Sequence, residues 1–263
     1  MEKIIEDIIS NLDKNIDKSS IHYFTDGVSG STVFSLNNKY LVKTMDILEI
    51  KTQSEFLNTY KDINEFANLL YVNEDLGFVV FEFIDGVLYK YSNVDIVDSL
   101  YSIVSNYKQY KSDYYGYLFE DKKTWVEFLK DEIDNNIDEL QNDNLVQQKI
   151  NNALLSISCE KTSKYLLHGD FGGHNFMIDK SNNLKVIDPM PVIGDRLYDF
   201  YFAIFSTVEI FKKLNLDYIL HFFDEDIAHK KNILIVALYI RMVRAYKYDR
   251  KDFPLYLEWF KKV

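Results

Sequence analysis

Residue patterning predicts an α+β fold in two lobes, a small β-rich N-terminal lobe over residues 1–84 and a larger, mainly α lobe over residues 85–263. Three observations carry this expectation. Short β-rich runs parted by turn residues fill the first third of the chain, long apolar periodicities of helical spacing fill the rest, and Asp85-Gly86 breaks the pattern where the two meet. At 263 residues and 47% hydrophobic, the chain can bury a sizeable core.

The elements follow in order. Residues 1–9 break their apolar positions with acids, which reads as an amphipathic helix and lacks the uninterrupted apolar core of a signal peptide. Residues 21–24, 32–36 and 40–45 form a three-strand meander, with turn chemistry at Asp26-Gly27 and Asn37-Asn38. A helix over 49–60 and strands over 68–72 and 77–83 complete the first lobe. Helices are expected over 94–107, 125–140, 199–210 and 232–246, with one β interruption inside the helical lobe, 175–178 and 184–187, joined by a polar turn.

Charge narrows the class of function. A formal net charge of -11 repels nucleic acid and anionic membrane surfaces and attracts cationic ligands, so neither nucleic acid nor membrane is an expected partner. No run approaches the roughly 20 apolar residues of a membrane span. The single Cys159 cannot form an internal disulfide and reads as buried filler in a reducing compartment. The expectation is a cytoplasmic monomer.

The chemistry concentrates in Leu166-Leu167-His168-Gly169-Asp170-Phe171-Gly172-Gly173-His174-Asn175, followed by Val186-Ile187-Asp188-Pro189. Phosphoryl transfer needs a carboxylate beside the attacking hydroxyl and oxygen ligands for Mg²⁺. Asp170 fits the first role, and Asn175 and Asp188 fit the second. Asp-x-x-x-x-Asn followed by a strand-end Asp is also the spacing of protein kinases.

With His-Gly-Asp, Ile-Asp and the trailing Gly194-Asp195-Arg196-Leu197-Tyr198-Asp199, the chain resembles the aminoglycoside phosphotransferase and choline kinase-like family. Pro189 departs from the Trp or Phe more common there. The resemblance implies a protein-kinase-like fold and a kinase that uses ATP or GTP with Mg²⁺, with Asp170 as catalytic residue. Its other parts are sought in the first lobe. Gly27, Ser29, Gly30 and Ser31 are candidates for the phosphate loop, and Lys43 on the third strand for the phosphate clamp. Glu55 is chosen as the partner of Lys43, with Glu49 second, and Glu82 and Ile84 stand at the hinge that reads the base.

Each residue also has a bland reading. Taken singly, Lys43 is an edge residue, Glu55 a helix surface charge and Gly27 to Gly30 a turn. Their occurrence in the order this fold demands shifts the weight. His168, Asp170, His174 and Asp188 could instead form the metal site of a hydrolase, and the chain could be an inactive kinase-like binding module. We take His168 as structural, His174 as variable, and Asp195 and Asp199 as braces. The resemblance implies a small cationic acceptor, aminoglycoside-like first, with choline, another amino alcohol or a metabolic sugar as alternatives. Candidate contacts are Glu127, Asp131, Asp134 and Asp138, which form an acidic stripe on one helix, and Asp224-Glu225-Asp226.

Overall fold

A computed structural model describes residues 1–24, 31–91, 95–120, 123–133, 140, 143–158 and 163–263. Gly27, Ser29, Gly30, Asp134, Asp138 and Cys159 lie outside the described residues. The architecture is α+β, as expected. The chain divides into two compact units, residues 1–92 with 176–190, and residues 93–175 with 191–263.

The first unit is built on a five-stranded antiparallel sheet in the order β1 (His22–Phe24), β2 (Val33–Leu36), β3 (Tyr40–Thr44), β5 (Phe78–Glu82), β4 (Leu69–Asn73). Its core forms because α1 (Glu2–Asn11) carries Ile4, Ile5 and Ile8 on one face and lays them against Phe34, Leu36, Val42, Phe78 and Val80. Helix α2 (Ile47–Thr59) starts where Asp46 accepts the amide of Glu49 at 2.8 Å.

The hairpin β9 (Phe176–Asp179) and β10 (Leu184–Val186) corrects the sequence reading. It belongs to this unit, and the lobe boundary expected after residue 84 falls at 92. β9 pairs antiparallel with β6 (Gly86–Leu88), and the amide of Val186 donates to Glu65 O at 2.7 Å. Gly86 is required at that seam, because a Cβ there would sit 2.3 Å from Ile178 O. Local patterning cannot reveal this placement, since the pairing partner lies far away in sequence.

The second unit contains a small sheet, β7 (Gly116–Tyr117), β11 (Val192–Gly194) and β8 (Tyr165–Leu167), and a set of helices. These are α3 (Val97–Ser105), α4 (Trp125–Ile133), α5 (Asn144–Ser158), α6 (Arg196–Phe205), α7 (Val208–Phe211), α8 (Leu216–His221), α9 (Ile227–Tyr248) and α10 (Phe253–Lys262). Every residue of α6 from Leu197 to Phe205 is buried, the mark of a helix enclosed on all sides. The long α9 packs against α6, α5, α4 and α10. Asp226 caps its start, and the buried Lys230 one turn later donates to Leu220 O and Phe223 O, each at 2.8 Å. Among the described residues no helix is long and apolar enough to cross a membrane.

Candidate active site

Buried strand β8 delivers the loop that starts at His168, and the loop is fixed by one carboxylate. Asp199 on α6 is fully buried and accepts from the His168 amide at 2.7 Å, the Gly169 amide at 3.2 Å and the Tyr107 hydroxyl at 2.8 Å. Gly169 takes a left-handed φ of 80°, which few side chains tolerate. Burial pushes the Asp199 carboxyl up to about 7, against the pull of the three donors. Asp195 caps α6 through the Leu197 amide at 2.9 Å and meets His229 Nε2 at 2.6 Å. Both aspartates thus act as braces, as read from the sequence.

Asp170 stands at the tip of this loop with its two oxygens in different states. Oδ2 meets His174 Nε2 at 2.8 Å and accepts from Asn175 Nδ2 at 3.0 Å. Oδ1 faces Arg244 Nη1 at 3.5 Å. Burial raises the pKa of this carboxyl, but the His174 hydrogen bond and the positive charges of His174, His168 and Arg244 outweigh burial, so it is held well below the usual carboxylate range. Asn175 is buried and spends its Nδ2 on Asp170 O and Oδ2, which leaves its amide oxygen as a possible ligand.

Two neighbours of Asp170 escaped the sequence reading. His174, read from the sequence as variable, is a contact of Asp170, because the turn Gly173–Asn175 brings residue i+4 back onto the aspartate. Arg244 lies on α9, in a helix read only as apolar packing. Its guanidinium stacks on the Phe202 ring at 4.8 Å and faces Glu132 Oε2 at 3.7 Å, while Glu132 Oε1 accepts from the Tyr117 hydroxyl at 2.8 Å.

The acidic stripe has other engagements. Glu127 closes a capping box at the start of α4, accepting from the Thr124 amide at 2.7 Å, and Asp131 pairs with Lys123 at 2.6 Å on the surface. Glu132, on a different face of α4, is the acid that stands with Arg244. Glu225 of the second acidic candidate pairs with Arg196 Nη2 at 2.6 Å, and Asp226 caps α9.

The first unit holds the remaining candidates. Lys43 on β3 donates to Asp188 Oδ1 at 2.7 Å. Asp188 follows β10 with a left-handed φ of 52° and is half exposed. The expected pair of Lys43 with Glu55 is not formed: the lysine is taken by Asp188, while Glu55 is half-buried on α2 and Glu49 is exposed near its start. Glu82 and Ile84 line a polar groove of about 440 Å³ together with Asn64, Asn68, Asp85 and Lys185, a groove that Lys43 and Asp188 do not line. Ser31 immediately precedes the extended segment that becomes β2. Among the described residues no group of three or more His, Cys, Asp or Glu side chains is placed to hold a metal ion.

No protein-family model matches the chain. No curated protein matches it in sequence. Solved structures do match along its whole length. Choline kinase LicA from Streptococcus pneumoniae is 18% identical, with a TM-score of 0.58 over 100% of this chain and 99% of that one. The fold is shared with small-molecule kinases. Aminoglycoside phosphotransferase APH(4)-Ia aligns with a TM-score of 0.62 at 14% identity, covering 99% of this chain and 96% of that one. Aminoglycoside 2'-phosphotransferase-IIIa, solved with GDP, aligns at 0.57 and 12% identity, covering 99% and 97%. The kinase-like fold is therefore established, in agreement with the sequence reading.

Proposed function

We propose that this chain is a small-molecule kinase that transfers the γ-phosphoryl group of ATP or GTP to a hydroxyl of an acceptor carrying an ammonium group. The observation that carries the reading is the state of Asp170. One oxygen is held by His174 and Asn175, the other faces outward to Arg244, and the loop beneath is pinned by Asp199. A carboxyl held below its usual range is always ionised near neutrality and is a weak base. It suits orienting a hydroxyl in a loose transition state better than removing its proton early.

In the transfer the acceptor oxygen bonds to the γ-phosphorus as the bond to the β,γ-bridging oxygen breaks. The hydroxyl proton passes to Asp170 Oδ1 and on to water, and the nucleoside diphosphate leaves. Lys43 supplies positive charge to the phosphates. Asn175, through its free amide oxygen, and Asp188, through its carboxylate, would hold Mg²⁺, and two hard oxygen donors suit an ion that keeps several waters and takes phosphate oxygens. Bound there, Mg²⁺ neutralises phosphate charge. Glu55, Glu82, Ile84 and the loop of Gly27, Ser29, Gly30 and Ser31 remain proposals for the nucleotide.

The neighbours support a nucleotide and a small acceptor: LicA was crystallised with AMP, and a mutant of APH(4)-Ia with ADP and hygromycin B. An aminoglycoside acceptor implies a role in antibiotic resistance, whereas choline or another amino alcohol implies metabolism. The test incubates the protein with ATP or GTP, Mg²⁺ and a panel of amino-bearing alcohols, and reads nucleoside diphosphate and an acceptor heavier by one phosphoryl group. Diphosphate release with no phosphorylated acceptor across the panel would contradict the reading.

A further inference from the structure

Asp199 ties the first end of the Asp170 loop to α6, and the far end of the same helix holds the loop's other end. The Gly173 amide donates to Ser206 Oγ at 2.8 Å. Ser206 follows the last residue of α6 and spends its own hydroxyl hydrogen on Ala203 O at 2.7 Å, so its oxygen is left to accept. Between the two ends the loop runs over Phe202, since a Cβ on Gly172 would lie 3.3 Å from Phe202 Cε1. Asp199, Phe202 and Ser206 stand at i, i+3 and i+7, which is one face of the helix, and the two polar residues are about 10 Å apart along its axis.

A serine hydroxyl bonded to a carbonyl of the preceding turn is common chemistry at a helix end. The Gly173 amide is not part of that chemistry, because it comes from a loop 33 residues earlier. The end of α6 is itself fixed from α9, where Arg241 lies over the Phe202 ring at 5.2 Å and donates to Ser206 O at 3.2 Å. Residues 170–175 are closed on themselves. The Gly172 amide donates to Asp170 O and the Asn175 amide to Gly172 O, each at 2.8 Å, and Asn175 Nδ2 reaches Asp170 O at 2.9 Å. Whatever holds Gly173 therefore holds His174 and Asn175, the two partners of Asp170 Oδ2, together with Asp170 itself.

We infer that Ser206 is a positioning residue for Asp170, the second of two anchors by which α6 fixes the loop on both sides of that carboxylate. Its effect on transfer rests on the kinase reading; the anchor itself does not. With the Ser206 hydroxyl lost, Asp199 still holds His168 and Gly169, so the loop stays attached while Asp170 shifts about its remaining anchor. The loss then falls on turnover and not on nucleotide binding.

The test compares Ser206→Ala and Ser206→Thr with the wild-type protein. Amide hydrogen exchange of the 168–175 segment is read by mass spectrometry, and phosphoryl transfer from ATP is read with choline and with kanamycin. In Ser206→Ala the amide freed in that segment should exchange about tenfold faster or more, and kcat should fall by roughly tenfold while the ATP Kd and the acceptor KM stay within about twofold. Ser206→Thr keeps the acceptor oxygen and should restore most of both. Should Ser206→Ala not fold, Ser206→Cys, of similar shape but with a weaker acceptor, takes its place. Unchanged exchange in the segment overturns the inference, and so does faster exchange with kcat unchanged. An ATP affinity that falls as much as kcat overturns it too, because general loosening of the fold would do the same. Faster exchange in Ser206→Ala, alongside a wild-type protein that phosphorylates no alcohol of the amino-bearing panel, supports the anchor and contradicts the kinase reading instead.

Discussion

At the level of single residues, the proposed chemistry rests on the ion pair of Lys43 with Asp188 and on the divided state of Asp170. Asp188→Asn removes the carboxylate charge both from Lys43 and from the proposed metal, so it should raise the Mg²⁺ concentration needed for half-maximal rate and lower turnover, measured by a Mg²⁺ titration. An unchanged titration would place the metal elsewhere. The sequence singles out Asp170, Asn175, Asp188 and Lys43 because each stands at fixed spacing beside a strand or loop signal, and the structure sets Asn175 against Asp170 and Lys43 against Asp188. It does not single out Arg244 and Glu132, because each sits inside an amphipathic helical run where a charge every few residues is ordinary, and only the packing of α9 beside α4 brings them together. Within the stripe, Glu127 has the spacing of a helix face and also the local chemistry of a capping box with Thr124.

Elements were more legible than their partners. The strands of the first sheet and the long helix α9 follow from periodicity and turn residues, whereas the hairpin β9–β10 was assigned to the wrong unit because its pairing with β6 is non-local. That seam makes a prediction. Gly86→Ala should destabilise the protein by about 1–3 kcal/mol, since its Cβ would meet the backbone oxygen of Ile178, which cannot turn aside. Urea unfolding checks this, and a neutral substitution would show the seam to be looser than described. The loop after Asp170 has a different kind of contact. A Cβ on Gly173 would lie 2.2 Å from Thr207 Oγ1, a side-chain atom, so Gly173→Ala should impair transfer and Thr207→Ala should restore much of it in the double variant. Failure of the double variant to recover would mean that the backbone at Gly173, and not the space beside it, is what matters.

At the scale of the whole molecule, burial of Asp199, which pushes its carboxyl up to about 7, is expected to make stability depend on pH. Its carboxyl ionises near 7 in the fold and near its ordinary 3.8 when unfolded, so the native state binds the extra proton between those values. Stability from this group is present below about pH 3.8 and falls as pH rises toward 7, and Asp199→Asn should flatten that slope in urea unfolding at several pH values. A slope identical in the variant would assign the pH dependence to other groups. Charge also acts at this scale. With a net charge of -11, a polycationic acceptor should show a KM that rises steeply with salt, while a neutral sugar acceptor should show little dependence. Phosphoryl transfer directed by Asp170 is decided by comparing Asp170→Asn with the wild-type protein for nucleotide affinity and for acceptor phosphorylation. Nucleotide affinity should stay within a few-fold while transfer falls by roughly 10²–10⁴-fold. Transfer near the wild-type rate in a folded Asp170→Asn protein would contradict it.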